Sequence, residues 1–224
     1  MLPALRHIDC WIFDLDNSLY PASSDRFALI DIRMGEFIQR LVGCDAAEAR
    51  RIQKGYFHEH GTTLAGLMRS HGTDPREFLD FVHDIDLARI TADPRVICAL
   101  DKLPGRKFVF TNGDERYAAR VLDKLGLANA FDGLHDIHAM SYVPKPHPDA
   151  YREMCNRFAI VPERALFVED MARNLEPAKA LGMTTVWVDN GSEQAGRDAD
   201  PAFIDYRTAD IGEWLTDIVR EEHL

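Results

Sequence analysis

The chain has 224 residues, 46% hydrophobic and 28% charged, an ordinary globular composition that excludes a disordered chain, a collagen and a disulfide-stapled miniprotein. Lys and Arg total 26 against 37 Asp and Glu, a net charge of −11. Such a surface repels phosphate backbones and acidic lipid head groups, which argues against a nucleic acid polymer or a membrane as partner. A small anion is still within reach of one lysine, backbone amides and a metal acting locally. Cys10, Cys44, Cys98 and Cys155 form no CxxC pair and read as buried reduced thiols. The opening MLPALRHIDC lacks the basic start and long apolar run of a secretory signal, and no stretch approaches 18 apolar residues, so the expectation is a cytoplasmic protein.

In chain order, Asp9 to Leu15 hold the apolar run CWIF, which stops at acidic residues as a strand buried on both faces of a parallel sheet does. From about Tyr20 to Asp93 the pattern changes to amphipathic helical spacing, as in Phe27, Ile30, Met34, Phe37, Ile38 and Leu41. Strand-like runs resume at Lys107 to Phe110, Ala165 to Val168 and Thr184 to Val188. Helices are predicted at Glu115 to Leu125, Pro148 to Phe158 and Arg173 to Leu181, the last ending at Gly182. The polar run from Asn190 to Asp200 reads as a surface loop. Alternating strands and helices predict an α/β doubly wound parallel sheet, Rossmann-like, with an inserted all-helical cap. The boundaries are a core of residues 1–19 and 94–224 and a cap of residues 20–93. The cap is expected over the carboxyl end of the sheet, where open α/β folds bind ligands.

Polar clusters follow each apolar run. Asp14 and Asp16 leave the first strand two positions apart, and like charges about 4 Å apart repel by about 4 kcal/mol at an effective dielectric of about 20, so a cation or a shared proton is expected nearby. Taken alone, the pair also suits a solvated turn. Thr111-Asn112-Gly113 offers a hydroxyl and exposed amides for phosphate oxygens, or a cap for the next helix. Lys145 stands between Pro144 and Pro146, which limit backbone freedom and aim its ammonium. Glu169 and Asp170 end a further strand, where a carboxylate faces the first pair if the strands are neighbours.

The order and spacing of Asp14/Asp16, Thr111, Lys145 and Asp170 resemble the four signature motifs of the haloacid dehalogenase-like hydrolase superfamily, over about Cys10 to Gly191. DLDNSLYP, GTTLAGLM, PGRKFVFTNGD and FVEDMARNLEPAKALGM resemble its pyrimidine 5'-nucleotidase type. Ser18 stands where that pattern has Thr, and Asn174 where the common last motif has a second acid. The resemblance implies a magnesium-dependent phosphatase of small phosphomonoesters, with UMP and CMP as first substrates and phosphoglycolate or a sugar phosphate as alternatives. A non-catalytic binding protein on the same fold is the rival from another class. By the same resemblance Asp14 is the nucleophile that becomes an aspartyl-phosphate, and Asp16 the general acid and base. Mg2+ is held by the Asp14 carboxylate, the Asp16 carbonyl and Asp170, while Thr111, the Asn112 amide and Lys145 hold the transferring oxygens.

Asp16 separates phosphatase from dehalogenase, because a halide leaves without a proton and dehalogenases of this superfamily lack this second aspartate. Glu169 reads as a supporting residue. Specificity is expected from the cap, where Tyr56, Phe57, His58, His60, Thr62 and Thr63 offer rings and hydrogen-bonding groups near a Gly61 turn; Tyr56, Thr62 and Thr63 are the candidate substrate contacts, with helix core as the alternative for Phe57 and a helix cap for Thr62. His71, His83 and His147 read as surface or capping residues. The expected partner is a small phosphorylated metabolite, and the expected state a monomer or homodimer.

Overall fold

Cys10–Phe13 (β1) has all four side chains buried, which places it at the centre of a sheet rather than at an edge. The computed structural model describes residues 3–21, 26–191 and 193–220, with side-chain positions from residue 29 onward in the second stretch and from residue 195 onward in the third. Five further parallel strands join β1: Arg106–Phe110 (β2), Gly133–His135 (β3), Ala165–Glu169 (β4), Thr184–Val188 (β5) and Tyr206–Thr208 (β6). Their order is β3-β2-β1-β4-β5-β6. Ile12 lies opposite Phe108 on β2 and Phe167 on β4, so the residues following β1, β2 and β4 emerge side by side. The chain runs from β1 outward through β2 and β3 and then returns to β4 on the other side of β1, so the crevice of a doubly wound sheet opens above these three strands.

Alternate side chains divide the core in two. Trp11, Phe13, Val109, Leu166, Val168, Val186 and Val188 meet Pro94–Lys102 (α5), Glu115–Lys124 (α6) and Ile211–Arg220 (α10). Ile12, Phe108, Phe110, Phe167 and Trp187 meet Pro148–Phe158 (α7) and Leu175–Ala180 (α8). This is the period-2 alternation of strands covered on both faces. The doubly wound parallel sheet expected from the pattern is the observed fold.

Between β1 and β2 the chain forms Arg26–Val42 (α1), Ala46–His60 (α2), Thr63–His71 (α3) and Pro75–Val82 (α4). Asp45, Thr62 and Asp74 are the N-caps of α2, α3 and α4, each accepting from a backbone N–H of the first turn. The helix α1 packs on α2 and α4, and α2 on α3. Gly66 makes the last contact close, since a Cβ there would lie 2.3 Å from the Tyr56 ring. Ile30, Phe37 and Ile38 are buried as the spacing predicts, whereas Leu41 in the last turn of α1 is exposed at 41%. The side chain of Phe27 lies outside the described residues.

Three expectations are corrected. Arg173–Leu181 is a 3-10 turn over Ala172–Asn174 followed by the short α8, because Pro177 lacks the N–H that a longer α-helix needs there. The run from Asn190 to Asp200 is not wholly loop, for it contains Glu193–Gly196 (α9). Not every thiol is buried: Cys98 is exposed and Cys44 half-buried, while burial pushes Cys10 up to about 12 and Cys155 to about 11. Among the described residues no helix is long and apolar enough to cross a membrane.

Candidate active site

The functional side chains stand where the three central strands end. Asp14 extends the ladder by one bond, its N–H donating to the Val168 carbonyl at 2.8 Å, and the residue is 6% exposed. Asn17 then adopts φ 61°, a left-handed conformation that Asn tolerates better than most residues, and the turn brings the Ser18 hydroxyl to Asp14 Oδ2 at 3.1 Å. Asp16, two residues on, lines the cavity. Its Oδ1 accepts from the Tyr20 hydroxyl and, at 2.8 Å, from that of Tyr117 on α6.

Lys145 is 1% exposed, and its three protons are all engaged: on Asp14 Oδ1 at 2.7 Å, Glu169 Oε2 at 2.6 Å and the Phe110 carbonyl at 2.8 Å. Burial alone would lower its pKa; the adjacent charges of Asp14 and Glu169 outweigh this and hold it above the usual lysine range. Its loop is fixed by Asn112, whose side chain donates to the Lys145 carbonyl at 3.1 Å and accepts from the Lys145 N–H at 2.9 Å. The Asn112 side chain therefore organises the lysine. Thr111, buried at the end of β2, accepts from the Gly113 N–H at 3.0 Å.

Asp170 is 5% exposed and accepts from the Asn190 amide at 2.9 Å, while its carbonyl accepts from the Trp187 indole at 2.8 Å. Glu169 spends one oxygen on Lys145 and the other on the Met171 N–H at 3.1 Å, which is a supporting geometry. Oxygens of Asp14, Glu169 and Asp170 lie within 4.8 Å of one another. Three buried acids thus cluster beside one ammonium, which bonds two of them. Burial, then the Glu169 charge, push Asp14 up to about 7 despite Lys145, and the same causes hold Asp170 well above the carboxylate range. Hard oxygen donors with this surplus of negative charge fit a divalent cation of the magnesium kind. The Asn174 Oδ1, buried at the cavity wall without a hydrogen-bond partner among the described residues, fits the same demand for a missing positive group.

These residues form one wall of a cavity of about 390 Å³ whose other wall is cap: Ile30, Asp31, Met34, Gln53, Phe57, Thr62 and Thr63 among others. Thr62 caps α3 by accepting from the Ala65 N–H at 3.1 Å, and the Thr63 hydroxyl donates to the Gln53 carbonyl at 3.3 Å. Tyr56 is a correction: it is absent from the lining, because its ring fills the slot left by Gly66 and its hydroxyl meets His71 Nε2 at 2.9 Å on the outer side. Phe57, one of the rings the sequence offered to a substrate, lines the cavity rather than a helix core, with the Arg173 guanidinium 4.2 Å over its ring. His83, read as a surface or capping residue, is the C-cap of α4, its backbone N–H donating to the Leu79 carbonyl, but it is buried at 8% and paired with Asp114. His147 does cap α7. Sequence reading missed Asn190, Tyr20, Tyr117, His83 and Asp114. The signals were there: Asn190 follows the strand next to β4, and Tyr20 belongs to DLDNSLYP.

Fold and site together define a doubly wound α/β protein that keeps a buried aspartate, a buried lysine and further acids on neighbouring strand ends beneath a helical layer. A family model described as haloacid dehalogenase-like hydrolase matches residues 8–182, and the chain belongs to that family. It is 26% identical over 193 residues to Phosphate metabolism protein 8 of Saccharomyces cerevisiae, covering 77% of this chain and 59% of the yeast protein. It is 25% identical over 224 residues to Glyceraldehyde 3-phosphate phosphatase of Methanopyrus kandleri, covering 94% of this chain and 96% of that one. Among solved structures, a HAD phosphatase from Thermococcus onnurineus superimposes with a TM-score of 0.65 at 20% identity, over 97% of this chain and 100% of that one. An L-2-haloacid dehalogenase from Xanthobacter autotrophicus does so with a TM-score of 0.58 at 18% identity, over the same shares. These two structures share the fold.

Proposed function

We propose that the protein is a cytoplasmic, magnesium-dependent phosphatase that hydrolyses small phosphomonoesters through an aspartyl-phosphate on Asp14, with residues 20–93 as its cap domain. The observation that carries this reading is the Asp14–Lys145 contact of 2.7 Å in a cavity that also contains Asp16. The fold does not separate phosphatases from dehalogenases; Asp16 does, because an alkoxide leaves only with a proton and a halide needs none. In the first step an Asp14 oxygen bonds to phosphorus as the ester P–O bond breaks, and the departing oxygen takes its proton from Asp16. In the second, water gives that proton back to Asp16 as its oxygen bonds to phosphorus and the Asp14–phosphorus bond breaks. Lys145 holds Asp14 for in-line attack and balances charge beside it. Thr111 and the Asn112 backbone amide are the phosphate donors in this reading. Asp14, the Asp16 carbonyl and Asp170 would hold the Mg2+, which supplies neutralisation of the phosphoryl charge.

For substrate we take pyrimidine nucleoside 5'-monophosphates first, on the motif resemblance and on a cavity of a size that holds such a molecule. A triose or sugar phosphate is the second reading, favoured by the activity named for the Methanopyrus kandleri relative. The experiment is a screen of phosphate release over UMP, CMP, purine monophosphates, phosphoglycolate and triose phosphates with Mg2+, with Asp14→Asn as the control. Turnover of UMP and CMP ahead of the others is expected. Indifference to both discards the nucleotide assignment, and activity in Asp14→Asn discards the aspartyl-phosphate.

A further inference from the structure

Asp16 is held in an asymmetric way. Both phenols, Tyr20 and Tyr117, donate to the same oxygen, Oδ1. Oδ2 takes no hydrogen bond from any described residue, and Asp16 lines the cavity. A carboxylate oxygen has two lone-pair sites, so two O–H donors fill Oδ1 and leave Oδ2 as the oxygen able to exchange a proton with a ligand. Tyr20 is 3% exposed and Tyr117 1%.

Tyr117 is itself fixed from the cap side. Asp114 accepts the Tyr117 N–H on Oδ1 at 2.9 Å and pairs through Oδ2 with His83 Nδ1. The His83 ring stacks on the Tyr117 ring, centroids 4.3 Å apart and planes 12° from parallel. Arg120 holds the His83 carbonyl at 3.0 Å and the Ile85 carbonyl at 2.9 Å. His83 stands at the end of α4, where the inserted helices return towards the core.

We propose that Tyr20 and Tyr117 are positioning residues that clamp Asp16 by Oδ1 and turn Oδ2 to the leaving-group oxygen, and that His83, stacked on Tyr117 and paired with Asp114, carries this orientation from the cap exit. The proposal rests on the phosphatase reading and adds to it which oxygen of the acid works and what aims it. A proton passes from Oδ2 to the ester oxygen as the P–O bond breaks and returns to Oδ2 from the attacking water.

The test uses two esters that differ in their need for an acid: p-nitrophenyl phosphate, whose phenolate leaves unaided, and n-propyl phosphate, whose alkoxide does not. The readout is kcat/KM, which reports the step in which the ester bond breaks, for wild type, Tyr20→Phe, Tyr117→Phe and the double variant, each checked for an unchanged melting curve. Misaiming the acid forfeits part of a contribution of about 10²–10⁴, so the double variant should lose about 30-fold or more on the propyl ester and less than about 3-fold on the aryl ester. A merely structural role lowers both by one factor, and that result, or no loss on either, overturns the proposal. If Tyr117→Phe does not fold, Tyr20→Phe carries the comparison alone, with about a 10-fold loss confined to the propyl ester. His83→Ala is expected to shift the same ratio and His83→Phe, which restores a ring to the stack, to recover it; an unchanged ratio in His83→Ala refutes the part given to His83. A wild type that frees phosphate from neither ester refutes the phosphatase reading and the clamp together. A wild type active on both, with equal losses in the variants, refutes the clamp alone.

Discussion

Lys145→Met removes a buried ammonium and keeps a stem of similar length. The side chain is 1% exposed and holds two carboxylates and a carbonyl. Breaking a buried ion pair by deleting one partner costs about 3–5 kcal/mol, and the orphaned Phe110 carbonyl adds about 1–3 kcal/mol. A domain's whole stability is about 5–15 kcal/mol, so the variant sits near the limit of folding. Protonation relieves part of the loss. Asp14 is already pushed up to about 7 by burial and by Glu169, with Lys145 opposing, and without the ammonium it rises further. A carboxyl whose folded pKa is raised contributes stability that is complete below the unfolded value and lost as pH rises through the folded one. The wild-type Asp14 carboxyl itself stays protonated up to about pH 7, so the deficit of the variant opens there and grows through about pH 8. Urea unfolding of metal-free protein should show it less stable than wild type by about 3 kcal/mol or more at pH 8, and by at least about 1 kcal/mol less than that at pH 5. A deficit under about 1 kcal/mol at pH 8, or one equal at both pH values, refutes the claim that the lysine holds the acids together.

Three further outcomes are expected. Mg2+ at about 100 times its Kd should stabilise the wild type by about 2.7 kcal/mol, read as a rise in Tm, and Asp170→Asn should lose most of that rise; an equal rise in both removes Asp170 from the cation site. His135 is 1% exposed, its ring nitrogens have no hydrogen-bond partner among the described residues, and burial, then the Arg157 charge, lower its pKa to about 4. A histidine held neutral gives stability that is complete above about pH 6.5 and lost as pH falls towards about 4, roughly 3 kcal/mol in all; His135→Phe should flatten that part of the Tm profile, and an unchanged slope counts against it. Gly105 has φ +84°, and a Cβ there would lie 2.2 Å from the Asp9 carbonyl oxygen, which accepts the Arg106 N–H at 2.9 Å. Gly105→Ala should therefore cost well over the roughly 1 kcal/mol expected for Gly43→Ala, where φ is +74° with open space around it; equal denaturation midpoints contradict this.

What was legible in the sequence had a period or a punctuation mark. The runs CWIF, FVF, ALFV and TTVWV are apolar on both faces, so the central strands could be read, and the acids that stop them could be paired by chemistry. The strands β3 and β6 span three residues each, half-buried in part, and gave no run long enough to read. Asn112 was recognisable as a polar group at a strand end, but its grip on Lys145 depends on a loop 33 residues away. Tyr56 was read as a substrate contact and Phe57 as a ring that could serve either substrate or helix core; helical spacing places both on one helix, and the slot at Gly66 that takes the Tyr56 ring is not visible in it. His83 and Asp114 are 31 residues apart, and nothing in either neighbourhood announces the other.

The groups assigned to phosphorus come from four strand ends and loops spread over residues 14 to 170, whereas the far wall of the cavity comes from one unbroken stretch between Ile30 and Val82, with His83 at its exit. In the proposed function, reaction and preference are thus written in separate parts of the chain. Replacing that stretch as a cassette would retune what is accepted while leaving the reacting centre in place, provided the newcomer supplies a ring for Tyr117 to lean on.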